Sequence, residues 1–256
     1  MFRQADHAAE GFYWSIAMSF LNRVARGAMC IVFAAALAAW GNSEADQRKA
    51  FIAFLQDINS RPGIHFLVPS ANDEKAFGPY LQHYAIILDF DKDGKAPSAD
   101  FLAQITKIGY GPNPSPRSIE QLAAAPANLT AAKDAVDKME QVIETRLAKV
   151  TADRAALKQP DDLKAVYDKT FDKLVIAPTM ALENSMKTLS TGIDATLALV
   201  NYINAHRSKL VVSGMQIQAK DQRTLDELQP LMRAYQEAGE RFIAAQQQID
   251  RVSQGN

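Results

Sequence analysis

The sequence predicts an all-α protein, an elongated antiparallel helical bundle with long heptad-like helices and one short hairpin. In one long pattern, apolar residues recur every seven positions, at Leu129, Val136, Ile143, Val150 and Leu157. In a second, spacings of four and three alternate, at Leu182, Met186, Leu189, Ile193, Thr196, Val200 and Ile203. Both spacings are typical of helices that bury one face. Residues 210–218 are rich in Val and contain Ser213-Gly214, which favours a short hairpin or an extended loop.

The elements before the first long helix follow from shorter patterns. Residues 46–55 place Phe51, Phe54 and Leu55 on one face of a helix. Residues 77–90 predict another helix, with a face formed by Tyr80, Leu81, Tyr84, Ile87 and Leu88. Residues 109–117 are predicted to form a loop, because a helix does not tolerate the alternate prolines Pro112, Pro114 and Pro116.

The heptad pattern itself predicts a helix of roughly thirty residues. Its apolar stripe also includes Met139, Val142 and Leu147. Arg146 and Asp153 interrupt the second seam of the pattern. A bundle helix is therefore favoured over one strand of a pure two-stranded coiled coil.

Proline and aspartate mark the boundaries of the remaining helices. Asp161 or Asp162 is expected to cap a helix over residues 163–176, by accepting hydrogen bonds from free backbone N–H groups. Pro178 is expected to restart the chain before the second long helix, and Pro230 to open or kink a last one. The apolar stripe of that last helix runs through Met232, Tyr235, Gly239, Phe242, Gln246 and Ile249.

Composition and charge exclude several classes of protein. The chain has 256 residues, of which 48% are hydrophobic and 22% charged, as expected of a chain that buries a core. Its 28 Lys and Arg against 29 Asp and Glu leave a net charge of −1, which provides no overall attraction to nucleic acid. With Cys30 as its one cysteine, the chain has no disulfide framework and no cysteine-based zinc site.

The start of the chain has the pattern of a targeting segment. Arg23 and Arg26 precede residues 28–39, a run of apolar and small residues. Twelve helical residues span about 18 Å, too little for the ~30 Å hydrocarbon core, so a signal peptide fits better than a spanning helix. We therefore divide the chain into residues 1–43, an N-terminal extension with a signal-peptide-like segment, and residues 44–252, the helical domain.

Two details of this segment lead to further expectations. Met18 opens a compact signal sequence, so we expect translation to start there. Cleavage could follow the A-x-A pattern at residues 36–38. The tripeptide Leu37-Ala38-Ala39 would complete a lipobox if the next residue were Cys, but that residue is Trp40, whose indole cannot form the thioether bond to diacylglycerol.

Several stretches carry a resemblance to a known family: DQRKAFI (46–52), FGPY (77–80), YAII (84–87), and ALKQPDDLK (156–164) with Tyr167 and Phe171. From about Glu44 to near its C-terminus, the chain resembles the YiaF-like lipoproteins of Gram-negative bacteria, a family of unknown function. The resemblance implies an envelope lipoprotein with a helical domain and no assigned catalytic residue. Trp40 departs from this pattern, because it stands where the lipidated Cys would be. Gly41 would suit an outer-membrane destination if that Cys were present.

Residues 89–100 resemble a twelve-residue EF-hand loop. The candidate calcium ligands are the carboxylates of Asp89, Asp91, Asp93 and Asp100, and Gly94 would permit the sharp turn at the sixth position. Asp100 is one methylene shorter than the usual bidentate Glu, and the chain has a single such loop. The alternative interpretation is an acidic surface turn after a helix. The four histidines have no metal-ligand spacing, and we expect His83 to be a surface or hydrogen-bonded histidine near Tyr84.

These observations leave three hypotheses for function. The first is a non-enzymatic binding or structural protein of the Gram-negative cell envelope, periplasmic or membrane-anchored through its N-terminus. It would have a protein partner, no nucleic-acid ligand and no resident cofactor. The second is a calcium-binding module that uses residues 89–100. The third is an envelope hydrolase. The sequence does not define the oligomeric state.

Overall fold

The computed structural model describes residues 43–93, 99–110 and 117–255. This part of the chain is helical apart from one two-stranded sheet, so the all-α prediction is confirmed. The helices are α1 (Glu44–Ser60), α2 (Ala71–Phe77), α3 (Leu81–Asp93), α4 (Ala99–Lys107), α5 (Ile119–Ala124), α6 (Pro126–Ala155), α7 (Asp161–Phe171), α8 (Ala177–Ala205) and α9 (Gln222–Gln254). Among these described helices, none is long and apolar enough to cross a membrane.

Reciprocal hydrogen bonds fix the start of α1. The Ser43 hydroxyl accepts from the Asp46 N–H at 3.2 Å, and the Asp46 carboxylate accepts from the Ser43 N–H at 3.3 Å. This capping box satisfies two backbone donors that a helix start leaves free. Ser70 and Asp73 form the same box at the start of α2. Both helices therefore begin at positions that their own sequences specify.

The predicted helix over residues 77–90 is divided in the structure. α2 ends at Phe77, a short 3₁₀ turn covers Gly78–Tyr80, and α3 begins at Leu81. Gly78 has a φ of +53°, a conformation that favours glycine, and Pro79 lacks the N–H that a continuous helix would use. The prediction of one uninterrupted helix here is wrong for this reason.

The heptad pattern corresponds to α6, a helix of 30 residues, as predicted. Leu129, Val136, Ile143 and Val150 are all buried along one face. Val142, a predicted member of the apolar stripe, is instead 51% exposed. It directly precedes Ile143, and successive helical residues point about 100° apart, so the two do not share a face.

No break separates α7 from α8. α7 continues through a π-helical turn, Asp172–Ile176, into α8. The Ala177 N–H donates to the Asp172 carbonyl, five residues back, and Pro178 follows at the start of α8. The prediction that Pro178 restarts the chain is wrong, because the wider π turn accommodates a residue that has no N–H to donate.

The predicted helix boundaries at Asp162 and Pro230 also need correction. Pro160, which cannot cap with its side chain, occupies the N-cap of α7, while the Asp162 carboxylate accepts from the Leu163 N–H at 2.9 Å. Pro230 does not open the last helix, because it lies inside α9, and the alternative of a kink at Pro230 stays a prediction. That helix begins earlier because Asp221 caps it, accepting from the Thr224 N–H at 2.8 Å.

The long helices pack in antiparallel pairs. Arg154, near the end of α6, forms an ion pair of 2.8 Å with Asp168, near the start of the α7–α8 segment. Toward the opposite end, the Asn204 side chain donates to the Ala123 carbonyl at 3.0 Å, just before α6. α9 runs back along α8, since Gln246 of α9 donates to Ser185 at 2.6 Å.

Two hydrophobic cores lie along the bundle. The proximal core takes residues from α1, α2, α3, the end of α6, α7 and the π turn, among them Phe51, Leu55, Phe77, Tyr84, Ile87, Val150, Leu163, Tyr167, Phe171 and Leu174. The distal core takes residues from α4, α5, most of α6, α8, β1 and α9, among them Phe101, Leu129, Val136, Ile143, Ile193, Val200, Ile203, Leu210 and Leu228. α6 and the continuous α7–α8 segment contribute to both cores.

The predicted hairpin at residues 210–218 is present. Strand β1 (Leu210–Ser213) pairs antiparallel with β2 (Gln216–Ala219), with Val211 opposite Gln218. Gly214 has a φ of +61° in the connecting turn. Glu120 of α5 holds this turn, because its carboxylate accepts from the Gly214 N–H at 3.1 Å. The Pro-rich segment 109–117 connects α4 to α5, and its residues 111–116 lie outside the described part of the chain.

Candidate functional site

The stretches that carry the family resemblance meet in one place. They supply Arg48 and Phe51 of α1, Tyr80 of the 3₁₀ turn, and Gln159, Asp162 and Tyr167 from the α6–α7 loop and α7. Glu44 and His83, which lie just outside these stretches, contact them. We call these eight residues the junction cluster, because they lie where the helical domain begins, directly after the segment predicted to be a targeting signal. The cluster is our candidate functional site.

One side of the junction cluster is charged. The Tyr80 hydroxyl donates to the Glu44 carboxylate. The Arg48 guanidinium lies 3.7 Å from the Glu44 carboxylate and 3.4 Å from the Asp162 carboxylate, so it joins α1 to α7. The Glu44 and Asp162 side chains are 60% and 57% exposed, whereas Arg48 is 27% exposed. This side therefore presents two accessible carboxylates that flank one partly covered guanidinium.

The 3₁₀ turn lies against α1, and the position of its first residue, Gly78, favours glycine because its φ is +53°. A Cβ at this position would lie 2.6 Å from the end of the flexible Gln47 side chain, which can move aside. Gln47 belongs to the DQRKAFI stretch and Gly78 to FGPY. These two stretches are thus in direct contact, 31 residues apart in the chain (78 − 47).

The other side of the cluster is aromatic and centres on His83. Its ring lies against Tyr80, Tyr167 and Phe51, with centroid separations of 5.4, 6.3 and 6.4 Å. Its Nδ1 is 3.0 Å from the Gln159 side-chain nitrogen, and its backbone carbonyl accepts from the Tyr167 hydroxyl at 2.8 Å. The expectation of a hydrogen-bonded histidine near Tyr84 agrees with this placement, but the partners were not identifiable from the sequence.

Burial determines the protonation states in the cluster. It lowers the pKa of His83 and raises the pKa of Tyr167 well above the ordinary range. The pKa of Tyr80 is raised by burial and then by the hydrogen bond to Glu44. At neutral pH the imidazole is therefore uncharged, and both phenols keep their protons. This arrangement suits hydrogen bonding and the packing of aromatic surfaces.

The candidate calcium ligands lie on two helices. Asp89, Asp91 and Asp93 belong to the last turns of α3, and Asp100 lies in the first turn of α4, where it accepts from Gln104 at 3.1 Å. Residues 94–98 lie outside the described part of the chain. Among the described residues, no group of three or more His, Cys, Asp or Glu is arranged to hold a metal ion. Calcium binding at residues 89–100 stays a prediction.

A positive charge from α6 lies near these carboxylates. The Arg146 guanidinium donates to the Phe90 carbonyl at 2.6 Å and lies over the Phe90 ring at 4.7 Å. Burial lowers the pKa of Arg146, while the nearby Asp93 and Asp91 carboxylates act in the opposite direction. A cation bound here would compete with this guanidinium for the same carboxylates.

Two open cavities lie outside the junction cluster. One, of about 250 Å³, is lined by Lys107, Arg117, Gln121, Leu122, Ala125 and Asn128. Another, of about 360 Å³, lies between α1 and α7 and is lined by Gln56, Asn59, Ser60, Ala165, Val166 and Lys169. The lipobox-like residues Leu37, Ala38, Ala39 and Trp40 lie outside the described residues, so lipidation at this position stays a prediction.

Comparisons with known proteins agree with the resemblance. Residues 28–250 match the family described as "Protein of unknown function (DUF3053)". The chain is 27% identical over 190 residues to the uncharacterized protein YiaF of Escherichia coli strain K12, and equally to that of Shigella flexneri. Each alignment covers 71% of this chain and 76% of the relative. No solved structure matches the chain. The chain therefore belongs to the DUF3053 family of proteins of unknown function.

Proposed function

We propose that this chain is a cell-envelope protein of a Gram-negative bacterium, with a binding or structural role rather than a catalytic one. The observation that carries the proposal is the position of the junction cluster. The targeting pattern, with Arg23, Arg26 and apolar residues 28–39, ends five residues before Glu44 (44 − 39), which is the first helical residue and a member of the cluster. After export, the cluster would be held close to any membrane to which the N-terminus stays attached.

The composition of the cluster supports the binding of a protein partner. Tyr and Arg are enriched in protein interfaces, and the rims of interfaces are polar and accessible to solvent. Here Arg48 is partly covered and Tyr80 is buried beneath it, while Glu44 and Asp162 stand exposed beside them. We infer that the partner contacts this charged side of the cluster, next to the start of α1.

Photo-crosslinking in living cells tests this binding site. A photoreactive residue placed at Asp162 is expected to give a specific covalent adduct with an envelope protein. The matched control places the same residue at Glu240, an exposed position on α9. Adducts of equal yield and pattern at both positions, or none at Asp162 under varied growth conditions, would contradict the proposed binding surface.

Intact mass after cell fractionation tests the location. The native chain is expected in the periplasmic or membrane fraction, cleaved near residue 38 or tethered by an uncleaved segment. Trp40→Cys is expected to gain the mass of three acyl chains and to move to the membrane fraction, because several acyl chains form a stable anchor. Recovery of both forms in the cytosol with their full N-termini would overturn the envelope location.

A further inference from the structure

His83 lies in an aromatic enclosure built from three separate elements. Phe51 comes from α1, Tyr80 from the 3₁₀ turn and Tyr167 from α7, and all three rings stand nearly perpendicular to the imidazole, at 80–87°. The side chain is half-buried at the start of α3. These rings replace much of the water that would otherwise solvate a charged imidazole, so the neutral form is favoured.

Within the described residues, the polar partner of this imidazole comes from the α6–α7 loop, residues 156–160. The side-chain nitrogen of Gln159 donates toward Nδ1 across 3.0 Å, and an amide nitrogen has no lone pair with which to accept. The hydrogen bond therefore requires Nδ1 to be unprotonated, with the imidazole proton on Nε2. In this orientation of the amide, a proton on Nδ1 breaks the hydrogen bond that links the loop to α3.

The charged groups on the surrounding elements do not compensate a positive charge on His83. Glu44 of α1 and Asp162 of α7 are both engaged by Arg48, and Glu44 also accepts from Tyr80. Lys158 in the loop and Asp161 at the start of α7 are the remaining charged groups close in sequence to Gln159. In the described part of the chain, His83 forms no ion pair with any carboxylate.

We propose that His83 is a pH-sensitive latch, whose protonation releases the 156–160 loop from α3. The imidazolium carries a proton on both nitrogens, so Nδ1 becomes a donor that faces the donor of Gln159. Because burial places the pKa of folded His83 below its ordinary value of about 6.5, the closed loop is unaffected above that pH. Its stability is lost progressively as the pH falls from about 6.5 through the pKa of the folded form.

Amide hydrogen exchange at different pH values tests the latch in the full chain. The protection factors of peptides covering residues 156–164, corrected for intrinsic exchange rates, are compared between pH 7.5 and pH 5.0. We expect these protection factors to be lower at pH 5.0 than at pH 7.5. We expect the midpoint to coincide with the His83 titration measured by NMR, assigned with the His83→Gln variant.

Matched variants separate the latch from a general effect of acid. His83→Gln and Gln159→Ala are both expected to abolish the pH dependence of this segment. Gln159→Ala should also lower its protection at pH 7.5, which provides a second readout if His83→Gln folds poorly. His65→Gln, at an exposed histidine, should leave the transition unchanged. Equal protection at both pH values in the native chain, or a transition that persists in Gln159→Ala, would overturn the proposal.

Discussion

Gly63 shows how a single residue fixes the contact between the two ends of the helical domain. It has a φ of +72°, and a Cβ on it would lie 2.4 Å from the carbonyl oxygen of Ser253. The next residue continues the contact, because the Ile64 N–H donates to the same carbonyl at 3.2 Å. The loop after α1 therefore packs backbone to backbone against the end of α9, and only glycine allows this approach.

We expect Gly63→Ala to lower the free energy of unfolding by about 1–3 kcal/mol, which is the range for a strained backbone conformation. Displacement of the end of α9 by the new Cβ would add to this loss. Urea denaturation monitored by circular dichroism measures the change. Gly239→Ala is the matched control, since Gly239 lies inside α9 with no atom within 4 Å of an added Cβ. The free energy of unfolding of this control should rise by about 0.5–1 kcal/mol, because alanine is favoured over glycine inside a helix. Equal effects of the two substitutions would contradict the assigned contact.

Asp168 links stability to pH at another single residue. Burial tends to raise the pKa of its carboxyl, but hydrogen bonds from Lys164 and Arg154 outweigh it and hold the pKa below its ordinary value. Arg154 also bonds Asp172 at 3.1 Å and lies over the Phe171 ring at 4.6 Å. A carboxyl whose pKa is lowered on folding stabilises the protein above its unfolded pKa, and that stability disappears as the pH falls through the folded pKa.

We therefore expect Asp168→Asn to lower the free energy of unfolding by about 1–2 kcal/mol at pH 7, because it removes charge-assisted hydrogen bonds. The difference from the native chain should shrink as the pH falls below about 4. Urea denaturation at pH 7 and pH 3 tests both points. Asp153→Asn, in the exposed pair with Lys149, should have a much smaller effect. A loss that is independent of pH would contradict this account.

At the scale of elements, the π turn places Lys173 at the end of α1. Its ammonium group donates to the Ile58 carbonyl at 2.9 Å and to the Arg61 carbonyl. The last carbonyls of a helix have no partners within it, so a lysine from another helix satisfies them. Burial lowers the pKa of Lys173, which is consistent with its partly covered position. The π turn thus couples the end of α1 to the α7–α8 segment.

We expect Lys173→Met to lower the free energy of unfolding by about 1 kcal/mol, because it removes hydrogen bonds from a charged donor while keeping most of the apolar stem. Amide exchange should increase at residues 58–64 before it does so elsewhere. Lys169→Met is the control, at an exposed position of α7. If the two variants were equally stable and residues 58–64 stayed protected, Lys173 would not act as this cap.

The comparison with the sequence is also clearest at the element scale. α6 was predictable because its heptad spacing and buried face are local properties of the chain. The hairpin was predictable from Val-rich residues and Ser213-Gly214. The π turn was not, because a proline ordinarily marks a break, and only the packing around Pro178 favours an uninterrupted helix. The contacts of the junction cluster were beyond prediction as well, since His83 and Gln159 are 76 residues apart and no local pattern pairs them.

At the scale of the whole molecule, the two cores are joined by shared helices. α6 contributes Leu129 to the distal core and Val150 to the proximal core. The continuous α7–α8 segment does the same with Ile193 and Leu163. A helix loses most of its stability when the face it buries loses its packing, so disruption of one core weakens the helices that support the other.

This arrangement predicts that the helical domain unfolds in one cooperative transition. Leu163→Ala and Ile193→Ala, at positions that are 0% and 2% exposed, should each lower the free energy of unfolding by about 2–5 kcal/mol. In scanning calorimetry, each variant should keep a single peak whose calorimetric and van't Hoff enthalpies agree. Val142→Ala, at an exposed position of α6, should change the free energy of unfolding by no more than about 0.5 kcal/mol. Two separate peaks in Leu163→Ala would mean that the cores fold independently despite the helices they share.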